Sequence, residues 1–166
     1  MFRVAIISVS DRGSRGERAD LSTDIIQDIM VENRYEISNK FLIPDEYHMI
    51  KELLIDICDN NIADLVLTTG GTGFSPRDVT PDATDAVTEK KVPGIPEAIR
   101  AYSMQITKKA MLSRATAGIR KQTLIINLPG SPKAVREALE FIVPELKHGL
   151  EVLSGKPQDC GTLRWF

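Results

Sequence analysis

Cysteine is scarce in this 166-residue chain, with Cys58 and Cys160 far apart and no CxxC or Cys/His spacing around either. That scarcity excludes a disulfide framework and a zinc site. Cys58 falls at an apolar position and is expected in the core; Cys160 is assigned no role. Aromatic residues make up only 5% of the chain and the sequence pI is about 5.7, so there is neither a stacking platform nor a general basic field for nucleic acid. No apolar run is long enough to cross a bilayer, and the N-terminal MFRVAIISVSDRG passes from a short apolar run straight into charges, unlike a secretory leader. A cytoplasmic protein without membrane contact is expected. Carboxylates are missing from one stretch: Ala98 to Arg136 contains none while carrying eight Lys and Arg, although the whole chain has a net charge of −2. A stretch of one sign beside an anion site would hold a polyanionic small molecule, whereas for any single lysine a solvated face is the simpler reading.

What is present is ordinary in bulk, with 42% hydrophobic and 27% charged residues, enough for one domain with a substantial core. The expected division is a domain over 1–155 and an irregular tail over 156–166, whose Trp165 and Phe166 need cover from the body or from another subunit.

The informative segment is LVLTTGGTGFSPRDVTPDAT, residues 65–84. An apolar β-type run feeds Gly70, Gly71, Thr72 and Gly73, and Asp78 and Asp82 follow within ten residues of that loop. Glycines let backbone N–H groups approach an anion, which makes this a phosphate cradle. Carboxylates so near a phosphate make sense if a hard cation such as Mg²⁺ lies between them. The segment is not a Walker A loop, since no GxxxxGK followed by Ser or Thr occurs, and Pro76 stands where a dinucleotide fingerprint needs its third glycine. A ligand-free turn at a strand end is the alternative for the glycines alone.

The hydrophobic pattern predicts an α/β fold, a three-layer α/β/α sandwich with a mostly parallel central sheet. Phe2–Ser8, Glu36–Ile43, Ala63–Thr68 and Thr123–Asn127 read as strands. Helices are expected from a cap at Ser22 to Glu32, over Asp45–Asn60, Pro81–Lys90 and Pro96–Lys108, and from a cap at Ser131 with Pro132 in the first turn. Ile50, Leu53, Leu54, Ile57 and Cys58 keep helical spacing, and Pro144 is expected to bend the last helix. Strand ends then bring Ser8–Gly13, Pro44–Asp45, Gly70–Asp82 and Asn127–Ser131 to one edge of the sheet, where open α/β sheets bind ligands. Asp45 alone also reads as a helix cap, and Met49, Met104 and Met111 as packing residues.

TTGGTG with PRDVTPDAT, then LSRATAG at 112–118 and LIINLPGSP at 124–132, resembles the molybdenum cofactor biosynthesis proteins of the MoaB/MogA type, which share their module with gephyrin-like proteins. The resemblance runs from VAIISVSD to KHGLEVLSG and implies a molybdopterin adenylyltransferase: Mg²⁺-dependent transfer of AMP from ATP to molybdopterin with release of pyrophosphate. It implies Asp45 and Asp78 as the catalytic, metal-holding pair with Asp82 as a secondary ligand, and Gly70, Gly71, Thr72 and Gly73 on phosphate. Ser113, Arg114, Asn127, Pro129, Gly130 and Ser131 would line the pterin pocket, and Ser10, Asp11 and Asp20 would face the nucleotide. A homo-oligomer, trimer or hexamer, and a separate metal-insertion protein are the implied partners. The competing reading is a catalytically silent molybdopterin-binding or scaffold paralogue.

Overall fold

Alternation along the first strand sets up the layers. The computed structural model describes residues 1–155, so Cys160, Trp165 and Phe166 lie outside the described residues. In β1 (Arg3–Val9), Val4 and Ile6 join one core while Ala5, Ile7 and Val9 join the other. The chain continues through α1 (Asp11–Ser14), α2 (Leu21–Glu32), β2 (Glu36–Ile43), α3 (Tyr47–Asp59) and β3 (Leu65–Thr69). It then forms α4 (Thr80–Val87), β4 (Lys90–Lys91), α5 (Gly94–Met104), a 3-10 turn at Lys108–Leu112, β5 (Ala117–Arg120), β6 (Thr123–Leu128) and α6 (Pro132–Leu153).

The sheet order is β2-β1-β3-β6-β5-β4. β2, β1, β3 and β6 are parallel, and β5 and β4 add an antiparallel edge. Helices α2, α5 and α6 cover one face through Ile26, Met30, Ile99, Val135, Leu139 and Leu146. Helices α3 and α4 cover the other through Ile50, Leu54, Ile57, Cys58, Ala83 and Val87. Burial on both faces explains the unbroken apolar runs of β1, β3 and β6.

The expected three-layer sandwich is therefore present, with several boundaries moved. Asp20, not Ser22, caps α2, because its side chain accepts from the Thr23 N–H, leaving Ser22 Oγ free to donate to the Gly130 carbonyl at 3.0 Å. Helix α3 starts at Tyr47 after Glu46, so Asp45 is not its cap. Helix α4 ends at Val87 and Lys90 belongs to β4; α5 ends at Met104, with Lys108 in the separate 3-10 turn. β4 and β5 were not expected from the sequence. β5 carries Gly118, where a side chain would strike Thr88 and the Lys90 carbonyl, so tight packing replaces the usual β-branched signal. Met49, Met104 and Met111 are exposed rather than packed, whereas Cys58 is buried as expected. Ser131 caps α6 with Pro132 at its first position, and Pro144 lies inside the helix.

The antiparallel edge is tied to α3 by a fork. Arg120 Nε and Nη2 each donate to an Asp59 carboxylate oxygen at 2.8 Å. These bonds hold the Asp59 carboxyl below its ordinary value of 3.8, against the opposing effect of burial and with help from Lys121. A lowered folded value means stabilisation that is present above 3.8 and lost as the pH falls through that lowered value. Arg120→Gln should therefore lower the urea midpoint at neutral pH, with the gap to wild type closing in acid. A gap independent of pH would show that the Asp59 charge is not what Arg120 stabilises.

Candidate active site

Parallel strands end together, and β3 delivers its glycines to that shared edge. Gly70 has φ +96 and Gly71 φ +65, a left-handed region costly for other residues. A side chain at Gly70 would run into the Val9 carbonyl, and one at Gly71 into the Thr80 hydroxyl. Beyond them the loop turns its carbonyls into the protein: Gly71 O accepts the Thr80 N–H at 3.2 Å, Thr72 O the Arg114 N–H at 2.8 Å, and Gly73 O the Arg114 Nε–H at 2.9 Å. A trans peptide points its C=O and N–H to opposite sides, so the N–H groups of Thr72, Gly73 and Phe74 face away from these partners. None of these N–H groups, nor that of Gly71, enters a hydrogen bond among the described residues. Successive unpaired amides form a concave donor set for an anion.

Two carboxylates flank this set. Asp45 and Asp11 clasp each other through their backbones, the Asp11 N–H donating to Asp45 Oδ2 at 2.8 Å and the Asp45 N–H to Asp11 Oδ1 at 3.1 Å. Asp78 Oδ2 accepts the Ser75 N–H at 2.9 Å. Each aspartate thus has one oxygen fixed by a backbone donor. Asp45 Oδ1 and Asp78 Oδ1 accept no hydrogen bond among the described residues. Both carboxylates lie against the glycines, since Cβ atoms at Gly71 and Gly73 would sit 3.0 Å from Asp45 Oδ1 and 2.9 Å from Asp78 Oδ2. Burial pushes the Asp45 carboxyl above its ordinary value; the Asp11 N–H opposes this, and the Asp11 and Asp78 charges add to it. A hard cation that takes oxygen ligands would relieve that crowding. No group of three or more His, Cys, Asp or Glu placed to hold a metal ion occurs among the described residues. A pair suffices for Mg²⁺, which keeps water and phosphate oxygens as its other ligands.

Several residues serve as frame. Arg77 Nε and Nη2 donate to Asp11 at 3.0 and 2.9 Å, and Nη2 also reaches Glu46 at 2.8 Å. These bonds hold the Asp11 carboxyl below its ordinary value against burial. Arg77 was outside the expected set, and its neighbour in sequence, Asp78, was the only signal that could have drawn attention to it. Arg114 donates to both oxygens of Asp82 at 3.2 and 3.0 Å and to the Asp78 carbonyl at 2.5 Å. Asp82 is thereby paired with a cation already. Asp20 is committed to Thr23, accepting its N–H at 3.2 Å and its hydroxyl at 2.6 Å. Asn127 is fully buried: its amide donates to Thr68 and Thr84 at 2.9 Å each and accepts the Thr116 N–H at 3.2 Å. It joins β6, β3 and α4 beneath the site and lines neither of the two cavities beside the loop.

Two cavities open beside the loop and share Gly130 and Ser131 as a wall. One, of about 250 Å³, has a mixed lining, with Ser8, Ser10, Arg18, Asp20, Ser22 and Thr69 beside Val9, Leu21 and Leu42. The other, of about 210 Å³, is mostly apolar, with Pro96, Ile99, Ala110, Pro129 and Ala134, and is edged by Thr72, Arg100, Ser103 and Ser113. Arg100, expected only as part of the basic stretch, also donates to the Ala115 carbonyl at 2.8 Å. Gly130 keeps the wall thin, because a Cβ there would stand 3.3 Å from Gly70 Cα.

Known proteins resemble this chain in sequence and fold. The family described as "Probable molybdopterin binding domain" matches residues 5–148. A molybdopterin adenylyltransferase of Helicobacter pylori is 43% identical over 93% of this chain and 89% of its own length. One from Escherichia coli K12 is 43% identical over 85% and 73%. The crystal structure of the molybdopterin biosynthesis enzyme MoaB from Thermus thermophilus superimposes with a TM-score of 0.89 at 47% identity, covering 95% of this chain and 99% of that one. On fold, sequence and the order of its motifs, the chain belongs to the MoaB/MogA family of molybdenum cofactor biosynthesis proteins.

Proposed function

We infer that this chain is a molybdopterin adenylyltransferase in molybdenum cofactor biosynthesis. The observation that carries the chemistry is the Gly71–Gly73 loop, whose carbonyls are tied to the protein while its N–H groups are unpaired beside two half-satisfied carboxylates. In the reaction an oxygen of the molybdopterin phosphate forms a bond to the α-phosphorus of ATP. The bond from that phosphorus to the bridging oxygen breaks, and pyrophosphate leaves with the electron pair. Such a transfer needs positioning and charge neutralisation rather than a protein nucleophile.

Position supports the following roles. Gly71, Thr72 and Gly73 donate N–H bonds to phosphate oxygens, with Gly70 setting the turn. Asp45 and Asp78 would hold Mg²⁺, and Asp82 stays with Arg114. Bound there, Mg²⁺ would neutralise charge building on the phosphate oxygens. The mixed cavity with Ser10, Arg18 and Asp20 suits the nucleotide; the apolar one with Ser113, Pro129, Gly130 and Ser131 suits a flat pterin. Arg114 and Asn127 support these walls from behind, and Asp11 supports Asp45. The exposed Met104, Ile106, Met111, Leu112 and Phe141 favour the expected homo-oligomer. No helix among the described residues is long and apolar enough to cross a membrane.

Purified protein given molybdopterin and Mg-ATP in a single turnover should form adenylylated molybdopterin and stoichiometric pyrophosphate. Binding of molybdopterin with no adenylate under any divalent cation would replace this reading with the silent paralogue.

A further inference from the structure

Among the described residues, two buried side-chain polar atoms lack a hydrogen-bond partner, Tyr35 Oη and Thr80 Oγ1. Tyr35 stands before β2, at the opposite end of the sheet from the glycine loop. Thr80 lies under that loop: it is fully buried, its N–H is taken by the Gly71 carbonyl, and its hydroxyl faces the space that a side chain at Gly71 would fill. Asp45 Oδ1 borders the same space at 3.0 Å from that Cβ position and also has no donor among the described residues. Buried polar groups are nearly always paired, so an unpaired one calls for an explanation, and one beside a candidate site points to a role there. Here a donor without an acceptor faces an acceptor without a donor, across a gap that exists only because residue 71 is glycine.

We propose that Thr80 is a positioning residue for Asp45, its hydroxyl donating to Asp45 Oδ1 once the site is loaded. A carboxylate oxygen has two lone-pair sites, so Oδ1 takes Thr80 on one and faces the cation with the other. Asp45 is then fixed at both oxygens, Oδ2 by the Asp11 N–H and Oδ1 by Thr80. This rests on the Asp45–Asp78 pair holding the cation, as proposed above. It assigns Thr80 a role distinct from contact with substrate, because the hydroxyl is sealed beneath the loop backbone.

The test uses Mn²⁺ as a spectroscopic probe, titrated by electron paramagnetic resonance into the full-length protein with ATP present. Thermal unfolding without ligand is measured in parallel. Thr80→Val should unfold at or above the wild-type temperature, since it removes an unpaired buried hydroxyl. It should weaken Mn²⁺ binding about tenfold, the usual scale for losing a hydrogen bond to a charged group. Thr80→Ser, which keeps the hydroxyl, should restore the affinity. Wild-type Mn²⁺ affinity in Thr80→Val overturns the proposal while leaving the acidic pair intact as the cation site. A Thr80→Val protein that is destabilised, with no rescue by serine, overturns it in favour of a packing role. Absence of Mn²⁺ binding in the wild type removes the acidic-pair reading, and this inference falls with it.

Discussion

Asp78→Asn should lower the rate of adenylate formation on the order of 10³-fold while molybdopterin still binds. The substitution is mild for the fold. An asparagine carbonyl can still accept the Ser75 N–H, and the backbone carbonyl that Arg114 holds is unchanged. What disappears is one of two negative charges that flank the anion loop. Removing it also relieves the Asp45 carboxylate, which burial and its neighbours already push upward, so stability at neutral pH should be unchanged or slightly raised. Activity and stability moving in opposite directions is the signature of a charge placed for chemistry rather than for folding. Rates from a single turnover, measured beside pterin binding, check it. A variant within tenfold of wild type would mean that the cation is held elsewhere.

Gly70→Ala should have the largest effect on stability, a loss of about 4 kcal/mol. Two costs combine at this residue. Its φ of +96 lies outside the region that alanine tolerates, and the added Cβ would press on the Val9 carbonyl of the neighbouring strand. That carbonyl is backbone and cannot swing aside as a flexible side chain would. For a domain of this size the loss corresponds to a fall in melting temperature of roughly 8 to 16 °C. Gly16, also at positive φ but with open space around its Cβ position, is the matched control, and Gly16→Ala should cost only the conformational part. Equal melting temperatures for the two variants would rule out the close approach to Val9 as the dominant cost.

How far the sequence could be read depended on the range of each interaction. β1, β3 and β6 are buried on both faces, so their apolar runs announced them, and the spacing of Ile50, Leu54, Ile57 and Cys58 announced α3. Once those strands were parallel, the meeting of the Ser10, Asp45 and Gly70 loops followed from topology. The short strands β4 and β5 gave no such signal, because a two-residue lysine edge and a glycine-bearing segment carry little β pattern. The frame of the site was the least legible part. Arg77 meets Asp11 across 66 positions, Arg114 meets Asp82 across 32, and Asn127 meets Thr68 across 59. No local periodicity encodes such pairings, so the buried bonds that hold Asn127 and its neighbours could not be read from the sequence.

The thin wall between the two cavities has a consequence for inhibitor design. Gly130 and Ser131 border both spaces, and the close approach of Gly130 to Gly70 leaves only a backbone's thickness between them. Two weak fragments, one polar and one flat and apolar, could therefore be joined by a very short tether. The second fragment would then bind at the high local concentration that a short tether imposes, so a bivalent compound would gain far more than either half alone.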